Sequence, residues 1–263
     1  MRYYVVSDVH GFCGLLKKSL EDAGFFDDTE PHKLVLCGDL LDRGPEANEL
    51  IEFMLELLHK DELIYILGNH EDLFIQCLQQ CARPRGFEQV ASGMSHHYVN
   101  KTWDSFLQIA GMSEEEACRT PEELVLRIRN SSFYQELLPA ALNYFETENY
   151  IFTHGWIPSY LYAFYAKLEY ERNEAWRDAE IDEWKKARWL NGMDLACRYH
   201  VTEPDKTIVC GHWNCSYGHH YFRAKGSEFD ADADHSPFYD EGIIAIDACT
   251  VASGRVNCVV IDD

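Results

Sequence analysis

The segment LVLCGDLLDRGPEANE places three charged side chains directly after an apolar run of strand-forming residues. Asp39 ends that run, and Asp42 and Arg43 follow three and four residues later. Two nearby carboxylates repel each other unless a cation lies between them or each has a separate partner. The spacing therefore raises the question of a bound cation, and the answer depends on the residues that end the other strands.

Four further apolar runs of the sequence also end in side chains of a metal-binding type. In open α/β sheets, sites form beyond the carboxyl ends of the strands, so we expect these side chains to converge in one place. The residues at the ends of the five runs are Asp8 and His10, Asp39, Asn69 and His70, His154, and His212.

The chemistry of this set is that of a metal centre. Carboxylate, imidazole and amide oxygen ligands suit hard or borderline divalent metals. A single metal does not need six such ligands, whereas two metals with one bridging carboxylate do. Two metals about 3.5–4 Å apart serve phosphoester hydrolysis, because they lower the pKa of a shared water and neutralise phosphate oxygens. The pattern predicts a two-metal hydrolytic centre.

Strands and helices alternate in the N-terminal part of the chain, which must hold several of these residues. Apolar runs at 3–8, 33–39 and 62–69 predict three strands. Helical patterns separate them, from 14 to about 23 and again after Pro45, because the first turn of a helix tolerates proline. This order predicts parallel strands joined by crossover helices.

The rest of the chain is predicted to form a helical middle and a closing set of strands. We expect mostly helix over 71–138, with a loop at RPRGFEQVASG, and a second helical segment over 160–190. Strands are expected at 149–155 and 207–212. The pieces GIIAIDA and RVNCVVID are interpreted as a hairpin that completes the sheet.

Length and composition suit one α/β domain. The chain has 263 residues, with ample apolar content for a core. It shows neither an internal repeat nor a low-complexity linker. We therefore expect a single domain over 1–263, with a helical insertion at about 72–145 and an irregular loop insertion at about 213–241.

The charge balance excludes some partners. The chain has 23 Lys and Arg residues against 45 Asp and Glu residues, and a formal net charge of -22. So acidic a surface argues against non-specific binding to nucleic acid or to anionic membranes. An anionic substrate would need a local reversal of this field, which two divalent cations at the strand ends would supply.

The cysteines indicate a reducing compartment. There are ten, none of them in a C-x-x-C pair, and the N-terminal MRYYVVSDVHG lacks the apolar region of a signal peptide. No apolar run is long enough to span a bilayer. These features predict a cytoplasmic protein with mostly unpaired thiols. The pairs Cys77 with Cys81 and Cys210 with Cys215 are interpreted as core residues in preference to a zinc site.

Taken in order, the motifs SDVHG, GDLLDRG, GNHE, THG and GHW resemble those of the PPP family of calcineurin-like metallophosphoesterases. That family includes serine/threonine protein phosphatases, phage-type bacterial phosphatases and symmetrical dinucleoside tetraphosphate hydrolases. The motifs extend from Asp8 to His212. The resemblance implies a four-layer αββα sandwich with a helical insertion. It also implies two divalent metal ions, with Mn, Fe, Zn and Mg as candidates.

The resemblance implies a metal role for six of these residues. Asp39 would bridge both metals. The first metal would also be bound by Asp8 and His10, and the second by Asn69, His154 and His212.

The remaining motif residues are implied to act on the substrate. His70 would be the general acid that protonates the leaving oxygen, with Asp42 orienting its imidazole. Arg43 would clamp the phosphate with its guanidinium fork, and Asn69 would also lie against the substrate. Family members often have a second phosphate-binding arginine. Arg188 is the candidate here and Arg198 follows it, although neither falls cleanly in register.

Simpler roles compete with these assignments. His70 could be a metal ligand or a surface histidine, and Arg43 could pair with Asp42 or Glu46 in a surface salt bridge of little energetic value. Glu71 is interpreted as a helix-start carboxylate that the helix dipole favours.

Three functions compete. We favour a phosphomonoesterase of the serine/threonine protein phosphatase type, acting on a phosphorylated protein or a small phosphoester, because DRG occurs with GNHE. The alternative is a bis(5'-nucleosyl)-tetraphosphatase, since GHW and the C-terminal tail are similar to that branch. Asp42 stands against it, because the motif expected there is GDLVARG. A non-catalytic regulatory module on the same fold is the third. The sequence does not indicate the oligomeric state.

Overall fold

The protein is built around two main β-sheets and an additional β-hairpin. The computed structural model describes residues 1–83, 85–91, 95–164 and 167–263. The strands are β1 (Arg2–Val6), β2 (His32–Cys37), β3 (Leu63–Ile66), β4 (Phe145–Glu146), β5 (Tyr150–Phe152), β6 (Ser159–Phe164), β7 (Lys167–Arg172), β8 (Thr207–Cys210), β9 (Phe238–Asp240), β10 (Ile243–Ala245) and β11 (Val259–Asp262).

Each main sheet contains three neighbouring parallel strands. The first sheet has the order β11–β1–β2–β3, and the second has the order β4–β5–β8–β10–β9. Strands β1, β2 and β3 run parallel, as predicted, with Val5 opposite Val35 and Leu36 opposite Tyr65. Strands β5, β8 and β10 also run parallel. The carboxyl ends of the parallel strands in each sheet therefore lie along one edge.

Helices cover the outer faces of the sheets. Helix α2 is typical, because its apolar residues recur at helical spacing and bury Leu50, Met54 and Leu57. The helices are α1 (Cys13–Asp22), α2 (Ala47–His59), α3 (Asn69–Cys81), α4 (Gly86–Val90), α5 (His96–Val99), α6 (Thr102–Ala110), α7 (Glu114–Arg119), α8 (Pro121–Arg129), α9 (Leu138–Ala140), α10 (Ile181–Ala187), α11 (Cys215–Arg223) and α12 (Thr250–Ser253), with single 3₁₀ or π turns at Phe25–Asp27, Phe133–Leu137, Trp176–Asp178 and Asp194–Arg198.

The apolar side chains form three clusters, because successive residues of a strand face opposite sides of its sheet. Tyr3 and Val5 of β1 pack between the two sheets against Phe152 and Val209. Tyr4 points the other way, into a cluster with the helices that cover the first sheet. A third, tryptophan-rich cluster fills the outer face of the second sheet. These layers confirm the expected four-layer αββα sandwich.

The helix predicted over 160–190 is wrong for its first half. Strands β6 and β7 pair antiparallel there, with Tyr160 opposite Glu171 and Tyr162 opposite Glu169. Both strands repeat residue types at every second position, which is typical of a strand, but the high charge of the segment favoured a helical interpretation. Helix α10 forms only at Ile181–Ala187.

The predicted C-terminal hairpin is also wrong. Strand β10 pairs with β8 and β9 in the second sheet, whereas β11 pairs antiparallel with β1 in the first. The connection crosses from one sheet to the other, and the Asn257 side chain donates a hydrogen bond to the Ile246 carbonyl at 3.1 Å. Val259 and Ile261 of β11 pack between the sheets, whereas Ile243 and Ala245 of β10 pack in the tryptophan-rich cluster on the outer face of the second sheet.

Other predicted segments are partly more regular than expected. The middle of the chain is helical, as predicted, and the loop expected at RPRGFEQVASG includes α4, with residues 84 and 92–94 outside the described residues. The stretch expected to be irregular at 213–241 contains α11 and β9. The division into one domain with two insertions stays a prediction.

All ten cysteines are free thiols. Among the described helices, none combines the length and the apolarity that a membrane crossing requires.

Candidate metal centre

Asp39 lies at the middle of the residues that follow the parallel strands. One of its oxygens, Oδ1, is 3.3 Å from His154 Nε2. The other, Oδ2, is 3.7 Å from His10 Nε2 and 3.8 Å from His70 Nε2. The ends of β1, β2, β3 and β5 therefore meet at one carboxylate, as the strand-end rule predicts.

Two groups of ligand atoms share this carboxylate. His10, Asp39 and His70 form the first group, and Asp39, His154 and His212 form the second. Within each group, the nitrogen and oxygen atoms that could bind a metal all lie within 4.8 Å of one another. Asp39 thus occupies the position of a bridge, whereas the first group holds His70, which we had assigned to proton transfer.

Asp8 and Asn69 complete the two groups. Asp8 Oδ1 is 3.9 Å from His10 Nε2, and Asp8 Oδ2 accepts a hydrogen bond from the backbone N–H of His212 at 2.9 Å. Asn69 Oδ1 is 2.8 Å from His154 Nε2. The six predicted metal ligands therefore lie close together; five are buried and His212 is partly exposed.

The backbone of the centre is held in an unfavourable conformation. Left-handed backbone angles cost a non-glycine residue of the order of 1–3 kcal/mol and concentrate at functional sites. Here loop-to-loop hydrogen bonds maintain them, including His10 N–H to the Asp39 carbonyl at 3.0 Å. The predicted site residues with positive φ are Asp8 (51°), His10 (52°), Asp39 (56°), Asp42 (75°), Arg43 (67°) and His212 (67°).

Two glycines permit the close approach of the loops. A Cβ atom on Gly38, whose φ is +80°, would lie 2.5 Å from His154 Nδ1 and 2.7 Å from the Cα atom of Gly68. A Cβ atom on Gly68 would overlap the Asp39 carboxylate. The ligands can therefore meet only because both positions lack a side chain.

Burial favours the neutral form of two histidines of the centre, which is the form that can bind a cation. Burial lowers the pKa of His212 to about 3 and holds the pKa of His10 well below its usual value. A neutral imidazole is the form that binds a metal. His212 Nε2 is buried and has no hydrogen-bond partner. This orphaned atom fits a metal ligand, because a buried polar atom otherwise costs free energy.

The buried carboxylates of the centre lie close enough to repel one another, which also favours a bound cation. Burial raises the pKa of Asp8, and the nearby carboxylates of Asp247 and Asp39 raise it further. Such repulsion is relieved when positive charge lies between the groups. The donor set of carboxylate, imidazole and amide oxygen fits divalent metals such as Mn, Fe, Zn or Mg, without distinguishing among them.

His70 and Asp42, whose role in proton transfer stays a prediction, are hydrogen-bonded to each other. His70 Nδ1 and Asp42 Oδ2 are 2.7 Å apart, and the Thr102 hydroxyl donates to the same oxygen at 2.7 Å. Burial lowers the pKa of His70, but Asp39 and Asp42 outweigh burial and the pKa is raised overall. Arg43 Nη2 is 3.2 Å from His70 Nε2. The arginine, which we assigned to phosphate, thus lies beside the atom that would carry the transferred proton.

Glu71 has a role that the sequence did not reveal. It is buried, and its two oxygens accept backbone hydrogen bonds from Gly68 at 2.6 Å, Asp39 at 3.0 Å and Leu40 at 3.0 Å. We had interpreted it as a helix-start carboxylate, and it does begin α3. The contact with the loop after β2, 31 to 32 residues away, has no signal in local sequence.

Asp247 is the second residue that we missed. It follows β10, is buried, and accepts a hydrogen bond from the backbone N–H of Cys249 at 2.7 Å. Burial raises its pKa to about 6. The rule that identified the other residues, a polar side chain directly after an apolar strand, applies equally to AIDA and could have found it.

Arg188 occupies a buried ion pair. Its Nη1 donates to both oxygens of Asp72, at 2.8 and 2.7 Å, and its Nη2 donates to Asn143 Oδ1 at 2.6 Å. The side chain is 1% exposed. These contacts are with protein groups, so the structure gives Arg188 a structural partner, and its contact with substrate stays a prediction.

A family model described as calcineurin-like phosphoesterase matches residues 1–240 of the chain. A symmetrical bis(5'-nucleosyl)-tetraphosphatase from Thioalkalivibrio sulfidiphilus is 40% identical over 80 residues, which cover 30% of this chain and 28% of that protein. An asymmetrical bis(5'-nucleosyl)-tetraphosphatase from Bacillus thuringiensis is 34% identical over 77 residues, which cover 27% of this chain and 31% of that protein. The matched segments thus span less than a third of these curated relatives.

Solved structures share the fold at low sequence identity. One, assigned as a candidate diadenosine tetraphosphatase, has a TM-score of 0.51 at 16% identity and covers 99% of this chain and 89% of that chain. The cold-active protein-tyrosine phosphatase of a Shewanella species has a TM-score of 0.51 at 15% identity and covers 100% of this chain and 75% of that chain. These similarities show the architecture alone.

Proposed function

The chain belongs to the family of calcineurin-like phosphoesterases, and we propose that it is a metal-dependent hydrolase whose substrate is a dinucleoside tetraphosphate. The observation that supports hydrolysis most directly is the position of Asp39, which is shared by both groups of ligand atoms. A carboxylate between two cation sites is what a two-metal centre requires.

We propose that Asp8, His10 and Asp39 hold one divalent metal and that Asp39, Asn69, His154 and His212 hold the other. This assignment of ligands to the two metals follows the family resemblance, and the short distances between the ligand atoms support the assignment. When bound, divalent metals at such a centre activate water and neutralise phosphate charge.

The chain's own residues have the arrangement that leaving-group departure requires. In the proposal, His70 gives the proton on Nε2 to the departing oxygen, while Asp42 holds Nδ1–H and stabilises the charged ring. The 2.7 Å distance between His70 Nδ1 and Asp42 Oδ2 supports this assignment. Arg43 then binds a phosphate oxygen, and its position beside His70 would orient the substrate toward the acid.

The identity of the relatives favours a nucleotide substrate. Our preferred interpretation from the sequence was a protein phosphatase, with a dinucleoside polyphosphate hydrolase as the alternative. The matched relatives are bis(5'-nucleosyl)-tetraphosphatases, both symmetrical and asymmetrical. They support the alternative, and a phosphoprotein substrate has no comparable support. Cytoplasmic location remains part of the proposal, consistent with ten free thiols.

A protein or small-ester phosphatase remains the second candidate because of Asp42. The branch of symmetrical hydrolases was expected to have GDLVARG where this chain has GDLLDRG. The buried hydrogen bond between Asp42 and His70 shows that the extra carboxylate is built into the site. Because Asp42 raises the pKa of His70, it keeps the ring protonated and able to donate a proton, which benefits esters with poor leaving groups more than anhydrides.

A substrate panel tests the proposal. The Mn²⁺-loaded full chain is assayed with diadenosine tetraphosphate, a phosphoserine peptide and p-nitrophenyl phosphate, with Asp39→Asn as the inactive control. We expect kcat/KM for diadenosine tetraphosphate to exceed that for the peptide at least tenfold. A higher kcat/KM for the peptide would contradict the proposal and support a protein phosphatase instead. Turnover that Asp39→Asn leaves intact would place the reaction outside this centre.

A further inference from the structure

Trp189 presents an exposed indole beside the second group of ligand atoms. Its ring centroid is 5.7 Å from that of His212, at an interplanar angle of 84°. The side chain is 49% exposed. Within the described part of the chain, it is the exposed aromatic residue whose ring contacts a proposed metal ligand.

The segment that carries Trp189 is held in place by contacts with neighbouring parts of the chain. The Trp189 backbone N–H donates to the Lys186 carbonyl at 3.1 Å, and the Trp189 ring packs against the edge of the His212 imidazole. A Cβ atom on Gly155, next to His154, would lie 2.7 Å from the Arg188 carbonyl oxygen. The ion pair between Arg188 and Asp72 holds the preceding residue. The half-exposed ring is therefore presented by a rigid turn.

The acidic charge of the protein implies that a polyphosphate substrate needs contacts other than ionic ones to bind tightly. The net charge is -22, which repels a polyphosphate outside the metal centre. Arg188, a candidate for a second phosphate contact, is already occupied by Asp72 and Asn143. A substrate with an aromatic base can gain the missing affinity by stacking, because every nucleobase has a face that packs on an indole.

We propose that the exposed face of Trp189 stacks on a base of the substrate while its phosphates lie at the metal centre. This inference rests on the proposed function, because it assumes a nucleoside polyphosphate as the substrate. It assigns to Trp189 a contact that a phosphate chain without bases would not make. Trp189 is thus the residue that distinguishes a nucleotide from an inorganic polyphosphate.

The test compares a substrate with its bare phosphate chain. The KM for diadenosine tetraphosphate and the inhibition constant of inorganic tetraphosphate are measured for the Mn²⁺-loaded full chain and for Trp189→Ala and Trp189→Phe. We expect Trp189→Ala to raise KM about tenfold, equivalent to about 1.4 kcal/mol, with the inhibition constant unchanged. Trp189→Phe is expected to recover part of the loss, because a smaller ring still stacks.

Phe26→Ala is the matched control. Phe26 is 52% exposed, close to the exposure of Trp189, and lies against Phe25 and Phe53. Phe25 in turn contacts His32 at the start of β2, the edge opposite the metal centre. We expect both constants to stay unchanged in this variant.

The outcomes separate the inference from the proposed function. If the wild-type protein does not hydrolyse diadenosine tetraphosphate, the proposed function fails. If it does and Trp189→Ala keeps KM within twofold, the stacking contact is refuted while the function stands. If KM and the inhibition constant of tetraphosphate rise together, the indole acts by positioning His212, and the stacking contact is again refuted.

Discussion

The carboxylate of Glu71 accepts a hydrogen bond from the backbone N–H of Asp39 at 3.0 Å, although the two residues are 32 positions apart. The same carboxylate also binds the N–H groups of Gly68 and Leu40. Burial raises the pKa of Glu71, and the hydrogen bonds from the backbone N–H groups of Leu40 and Gly68 offset part of that shift. One buried side chain thereby fixes the loop that carries the bridging carboxylate to the start of α3.

We predict that Glu71→Gln weakens both folding and metal binding. The amide offers one acceptor where the carboxylate offers two, and its NH₂ group would face backbone donors. A buried donor without a partner costs about 1–3 kcal/mol, so we expect about 2 kcal/mol less stability in urea unfolding and a lower metal content. Glu49→Gln, at an exposed position of α2, is the control. Equal stability of both variants would show that Glu71 does not organise the centre.

The general-acid role of His70 predicts a dependence on the leaving group. Nitrophenolate departs without a proton, whereas phenolate needs one. We expect His70→Asn to lower kcat for phenyl phosphate about 10²- to 10⁴-fold and to affect p-nitrophenyl phosphate much less. The metal content is expected to stay at the wild-type level. An equal loss for both esters together with a loss of metal would identify His70 as a ligand instead.

The buried pair of Arg188 and Asp72 predicts a stability effect. Arg188→Met leaves the Asp72 carboxylate buried without its cation, and removal of one partner from a buried ion pair costs about 3–5 kcal/mol. We expect a lower midpoint of thermal unfolding, with partial recovery in the double variant Arg188→Met, Asp72→Leu. An unchanged midpoint with a raised KM would assign Arg188 to the substrate, as the family resemblance implies.

Glu146 predicts a specific pH dependence of stability. Its hydrogen bonds with Arg177, followed by those with Lys206, lower its pKa to about 2. A carboxyl group with a lowered pKa stabilises the fold above its unfolded value of about 4.3, and this contribution is lost as the pH falls toward 2.

At neutral pH, we expect Glu146→Gln to lose about 1 kcal/mol, since solvent screens this partly exposed pair. The difference from the wild type is expected to vanish between about pH 4 and pH 2, measured by urea unfolding at each pH. Glu148→Gln, at an exposed position two residues away, is the control. A difference that stays constant over this range would show that the lowered pKa does not contribute to stability.

The part of the centre that could be predicted follows from local sequence. Asp8, Asp39 and His154 each come directly after an apolar strand, so one rule of α/β sheets places them together. Asp247 follows the same rule and was overlooked. The partners of Glu71 and Arg188 lie far away in sequence, and their contacts depend on how the loops and helices pack.

The errors in the fold have the same origin. The hairpin of β6 and β7 was mistaken for a helix because charged and aromatic residues occur in both kinds of element. Strands β10 and β11 are close in sequence, and neighbouring strands usually pair. Here the two strands join different sheets and bury their apolar residues in different clusters, which no local sequence pattern predicts.

The central claim is that Asp39 joins two metal ions, and metal analysis of the Asp39→Asn variant tests it most directly. Elemental analysis of the Mn²⁺-loaded protein after removal of free metal is expected to give about two metals per wild-type chain. Asp39→Asn is expected to bind fewer than one, while its circular dichroism shows a folded protein. A folded Asp39→Asn variant that keeps two metals per chain would contradict the account.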